Sequence, residues 1–214
     1  MDRAVEIAAI GEAARNAFED KHGAREVMIA ASRRAIQACA ASIRATHRHE
    51  FTDAERLARE AREHVLAAET ALAGHPDVRT NGPFADAKKE LAEAWLTLAL
   101  VRDEPLPRPA DLGVEEAAYC NGLAEAASEL RRQLLDRLRA GELARAETLM
   151  GAMDDVYSLL VTIDFPDGVT GGLRRTTDAL RAVLERTRGD LTTAMVAARL
   201  QTAIDAAAAT GRRT

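Results

Sequence analysis

Two stretches of this 214-residue sequence set acidic side chains among residues that are otherwise almost wholly apolar. After Glu90, the run Leu91–Val101 holds one charge, Glu93, and Glu90, Glu93 and Thr97 form its polar strip. From Ala117 to Ser128 the one ionisable carboxylate is Glu125, and Glu129 follows a turn later. Spacings of three and four residues put both acids of each stretch on one face of a helix. Two such helices, set face to face, converge four carboxylates on one point. Unpaired carboxylates in apolar surroundings cost several kcal/mol and repel one another. Two compensations are open: some of the acids keep a proton, or a divalent cation sits among them. Hard oxygen donors without Cys or His suit Mg²⁺, or Mn²⁺, better than zinc. Such an ion lowers the pKa of bound water and stabilises charge at a phosphoryl centre. A solvated stripe, or pairing of the acids with Arg131 and Arg132, is the alternative reading. A ferritin-like di-iron site is disfavoured, because it needs Glu-x-x-His on two helices and only Glu19 and His22 have that spacing.

The elements that position these acids are all read as helices. Hydrophobic residues make up 47% of the chain, but 46 residues are Ala and aromatics are only 3%. No run alternates as a strand does. Sparse Gly and Pro punctuate the sequence. A first helix is predicted to about Asp20, ending near Gly23, and a second from Ala24 to about His47. Thr52 and Glu55 form a capping box that opens a third, through Ala73. Pro83 suits the first turn of a fourth, reaching about Arg102. The segment 103–113, with three prolines, is a loop. A fifth helix spans about Val114 to Ala140, a sixth Glu142 to about Ile163, and a seventh Leu173 to about Ala208. Gly168, Gly171 and Gly172 read as a turn, and 210–214 as a disordered tail. The expectation is an all-α bundle of about seven helices in a single domain spanning residues 1–214.

The net charge of −5 does not exclude nucleic acid, since local patches decide binding. Lys occurs only at 21, 88 and 89, so 26 of the 29 basic residues are Arg. Arg33, Arg34, Arg44, His47, Arg48 and His49 gather towards one helix end. Arg56, Arg59 and Arg62 share another face, where Glu55, Glu60 and Glu63 are available as partners. Either group suits phosphate contacts that are salt-dependent and sequence-blind, and no aromatic is spaced for base stacking. Cys39 and Cys120 lie far apart in helical stretches, which fits reduced thiols. No apolar run reaches the roughly 20 residues of a membrane span, and the first residues lack a signal-peptide core. The expectation is a cytoplasmic protein. Because Ala-rich helices bury little area each, association into a homo-oligomer is also expected.

The segment Tyr119–Arg132 (YCNGLAEAASELRR) resembles a pattern of Tyr, Gly-x-Ala-Asp/Glu and Glu-Leu-x-Arg, here at Tyr119, Gly122, Ala124, Glu125, Glu129, Leu130 and Arg132. The likeness continues through AGELARAETLM to Val156 and Tyr157. KKELAEAW supplies a Glu-x-x-Glu pair, and Ser32-Arg33 and Ile43–Arg48 also fit. On these motifs the sequence resembles the translin family, closest to its translin-associated factor X branch, from about residue 24 onward. The resemblance implies a seven-helix, translin-like fold assembled into a hollow, usually octameric shell around single-stranded or short duplex nucleic acid. The factor X branch implies a Mg²⁺-dependent endoribonuclease. Its metal would be held by Glu90, Glu93, Glu125 and Glu129, with Glu129 orienting or deprotonating water. Glu125 stands where Asp is usual. Arg33, Arg44, His47, Arg48 and Arg132 are the expected nucleic-acid contacts. The translin branch implies the alternative, a non-catalytic single-stranded nucleic-acid-binding protein.

Overall fold

Alanine repeated at helical spacing gives helices that approach one another closely, and the fold is built on such stripes. The computed structural model describes residues 2–78 and 82–211, and among these no strand occurs. The helices are α1 (Arg3–His47), α2 (Phe51–Ala71), α3 (Pro83–Arg102), α4 (Pro109–Leu112), α5 (Glu116–Arg139), α6 (Leu143–Leu160), α7 (Asp167–Thr170) and α8 (Leu173–Gly211), with a 3₁₀ turn at Pro76–Val78. The all-α expectation holds. The count differs because two expected helices are one, and because two loops each contain a single helical turn, α4 and α7.

The predicted break near Gly23 does not occur; α1 runs unbroken for 45 residues. One glycine costs a helix about 1 kcal/mol relative to alanine, and helix-favouring residues on both sides outweigh it. The Thr52–Glu55 capping box is also not formed. α1 and α2 are joined by a tight turn through His49, whose φ is 60°. That turn fixes Glu50 as the N-cap residue: its N–H bonds to the Ala45 carbonyl at 3.0 Å, and its carbonyl accepts from Ala54 at 2.9 Å. Thr52 is therefore already inside the helix. α3 begins at Pro83 as expected. Of the expected tail, Thr210 and Gly211 continue α8, and residues 212–214 lie outside the described residues.

α2 presents Ala54, Ala58, Ala61, Val65 and Ala68 to α1, and all five are buried. α3 is enclosed by α1, α2 and α5, which accounts for its lack of a polar side. α5 packs in turn on α6 and α8. One core cluster runs from Met28 on α1 to Leu191 on α8. Before Met28 and after Leu191 the two long helices overhang it. There Ile7, Ile10 and Phe18, and likewise Val196, Leu200 and Ile204, are exposed.

The register between α3 and α5 is set by Gly122. A Cβ placed there would lie 2.7 Å from the Lys89 carbonyl oxygen, 2.8 Å from Ala92 Cβ and 2.9 Å from the Glu93 nitrogen. The two backbones touch, and only glycine allows it. Gly122→Ala must push α3 and α5 apart. We expect a loss of about 1–3 kcal/mol, read from the urea midpoint of the metal-free chain against wild type.

Candidate metal centre

Glu90 and Glu93 lie one turn apart on α3, and Glu125 lies one turn beyond Gly122 on α5. The close approach at Gly122 brings the three together: one carboxylate oxygen from each lies within 4.8 Å of the others. Glu90 and Glu125 are half-buried, while Glu93 is only 8% exposed. Burial pushes the Glu93 carboxyl up to about 9, and the charges of Glu90 and Glu125, a hydrogen bond with Glu125 and the charge of Glu129 add to this. At neutral pH the Glu93 carboxyl therefore keeps its proton, in hydrogen-bond contact with Glu125.

A second compensation comes from Lys89. Its Nζ donates to Glu125 Oε1 at 2.9 Å, lies 2.7 Å from Glu125 Oε2 and sits 3.3 Å from Glu90 Oε1. Burial lowers the ammonium's pKa, but the hydrogen bond and charge of Glu125, followed by those of Glu90, outweigh it and the net shift is upward. Sequence reasoning gave Lys89 no role. The only signal was its rarity, one of three lysines and next to Glu90.

Glu129 lies close enough for its charge to act on Glu93, but its carboxylate turns to α1. Its Oε2 is 2.6 Å from His47 Nε2. The Gln133 amide Nε2 lies 3.4 Å from His47 Nδ1 and donates to the His47 carbonyl oxygen at 3.4 Å, so it holds the residue from the other side. His47 itself is 7% exposed and held between α5 side chains, whereas Arg44 and Arg48 are exposed. The other expected nucleic-acid contacts, Arg33, Arg44, Arg48 and Arg132, are exposed. Arg48 is tied to Glu50 through two nitrogens at 2.9 and 2.5 Å. Arg132 lines an open groove of about 480 Å³ with Glu129, Arg131 and Arg139.

The expected alternative of Arg131 pairing with the acids is not what the structure holds: Arg131 bonds Asp190 at 2.7 Å and Thr187 at 3.0 Å on α8. On α2, Arg56 pairs with Asp53 and Glu60, and Arg59 with Glu55, so that face is largely neutralised. Asp154 pairs with Arg188 at 2.5 Å, a surface role. Cys39 lies buried beneath the acids. Burial, followed by the charges of Glu90 and Glu93, drives its thiol far above the usual range, so it stays protonated and offers no soft ligand. The donor set is thus three carboxylates, with a fourth nearby. All are hard oxygen ligands, which fits Mg²⁺ or Mn²⁺.

The architecture matches solved structures. AfC3PO, in its complex with duplex RNA, is 32% identical, covers 87% of this chain and 96% of its own, and superposes with a TM-score of 0.80. The chain belongs to the C3PO/translin family. A second structure of AfC3PO gives 0.79 over 87% of this chain and 97% of its own. NeC3PO, in its apo form, shares the fold at a TM-score of 0.76 with 17% identity, over 86% of this chain and 96% of its own. An uncharacterized protein of Methanocaldococcus jannaschii is 29% identical over 179 residues, 83% of this chain and 79% of that protein. No protein-family model matches. Among the described residues, no helix is long and apolar enough to cross a membrane.

The proton kept by Glu93 leads to a stability prediction. Unfolded, a Glu carboxyl titrates near about 4.3; folded, Glu93 titrates near 9. Between those values the folded chain binds more protons than the unfolded one, so stability falls as pH rises. Denaturation of the metal-free chain at intervals from pH 5 to 9 should show that decline, and Glu93→Gln should flatten it.

Proposed function

We propose that the chain is a metal-dependent endoribonuclease, cleaving single-stranded or short structured RNA inside a homo-oligomeric shell. The observation that carries this reading is the convergence of Glu90, Glu93 and Glu125 within 4.8 Å across two helices, with Glu129 one turn further along α5. Glu90, Glu93 and Glu125 would hold one or two Mg²⁺ ions, Mn²⁺ serving equally. The bound ion would supply charge neutralisation at the scissile phosphate and acidify a water ligand. Glu129, anchored by His47 through Oε2, would accept a proton from the attacking water. Arg132, beside Glu129 in its groove, would hold the RNA backbone, with Arg33, Arg44 and Arg48 extending that basic surface.

Family membership supports the RNA substrate, since a relative 32% identical has been solved with duplex RNA. The exposed apolar side chains of the overhanging ends of α1 and α8 are what an assembled shell, octameric by resemblance, would cover. The factor X branch assignment rests on all four acidic positions being filled. A cytoplasmic location and a single domain fit this reading.

One observation favours a second reading, a non-catalytic nucleic-acid-binding protein. Lys89 and the proton kept by Glu93 already offset the charge of the acids without any metal. Incubation with labelled single-stranded RNA, in Mg²⁺ or in chelator, separates the two. The nuclease reading expects cleavage in Mg²⁺ alone. Glu129→Gln should lower the rate by about 100-fold or more while RNA binding stays within a few-fold of wild type. RNA bound but uncut in Mg²⁺ supports the second reading instead, and a stable monomer by light scattering contradicts the shell.

A further inference from the structure

Lys89 occupies ground that a divalent cation would need. Its ammonium spans from α3 to α5, 2.9 and 2.7 Å from the two oxygens of Glu125 and 3.3 Å from Glu90 Oε1. One cation thus already holds two of the three converging carboxylates. Lys88, the preceding residue, turns elsewhere: its Nζ lies 2.7 Å from Glu115 and 3.6 Å from Glu69, over the Phe84 ring. Lys89 is therefore not one of two interchangeable surface lysines.

A carboxylate oxygen coordinates Mg²⁺ at about 2.0–2.1 Å. An ammonium lying against both Glu125 oxygens crowds the space such an ion would take, and two cations held that close repel each other. The lysine side chain is 26% exposed, and its flexible four-carbon stem gives the ammonium a route to solvent. Resting on the metal-centre reading above, we propose that Lys89 is a resident counter-cation, displaced from Glu125 when a divalent metal loads. It holds the acids together in the metal-free chain and sets the metal concentration at which the centre fills. The lysine and the metal compete for one carboxylate, so removing the lysine tightens metal binding.

The chain has three lysines, so the exchange can be read residue by residue. Full-length wild-type protein is acetylated briefly with an N-hydroxysuccinimide ester, with and without saturating Mg²⁺, and each lysine is quantified by peptide mass spectrometry. Lys89 should be poorly labelled without metal and several-fold more reactive with it. Lys88, at 3% exposure, should stay protected and Lys21 should stay reactive in both states. In parallel, Mn²⁺ titration followed by electron paramagnetic resonance should show Lys89→Met binding roughly tenfold more tightly than wild type. Lys89→Arg, which keeps the charge, should remain near wild type. Labelling uses the unaltered chain, so it stands even where a variant fails to fold. Mn²⁺ binding by wild type with unchanged Lys89 labelling, or with no tightening in a folded Lys89→Met variant, overturns this proposal alone. Wild-type protein that binds no millimolar Mn²⁺ overturns the metal-centre reading with it.

Discussion

Mutual repulsion of carboxylates at a helix–helix interface is the constraint on which this structure turns. Glu90, Glu93 and Glu125 are drawn together where water screens them only in part, and the fold answers the repulsion in two ways at once. Glu93 keeps its proton, and Lys89 closes an ion pair across α3 and α5. Neither costs the cluster its shape. The result is a set of hard oxygen donors already close together, one carboxyl held protonated and an ammonium seated on the others.

That arrangement depends on backbones approaching more closely than ordinary side chains permit. Gly122 leaves no room between α5 and the Lys89–Glu93 segment, and α2 buries a stripe of alanines where it packs in the bundle. Close packing here has a chemical consequence. It brings the end of α1 over α5, so that His47 reaches Glu129 and Gln133 supports the ring from the other side. The acids on α3 and the acid held by α1 are thereby fixed in one frame by the same small residues.

Much of this was legible in the sequence, and for identifiable reasons. Glu93 and Glu125 stood out as lone charges in apolar runs, with Glu90 and Glu129 at helical spacing from them, and α3 and α5 were bounded by Pro83 and Gly141. Signals that rest on local cost alone misled. Gly23 marks a weak point that α1 simply runs through, and the Thr52–Glu55 box lost to a turn whose geometry is set by His49 and Ala45. Long-range partners were illegible. His47 and Glu129 are 82 positions apart, and no local pattern announces that this imidazole meets a carboxylate of α5. Lys89 was visible as a rare residue, but only the proximity of α5 reveals what it holds.

The central claim, that these carboxylates exchange a proton and an ammonium for a divalent ion, is tested most directly by diffraction from crystals soaked in Mn²⁺. The account predicts an anomalous peak bounded by oxygens of Glu90, Glu93 and Glu125, with the Lys89 side chain moved off Glu125. An Mn²⁺-saturated crystal without a peak there, and with Lys89 still seated on Glu125, would contradict it.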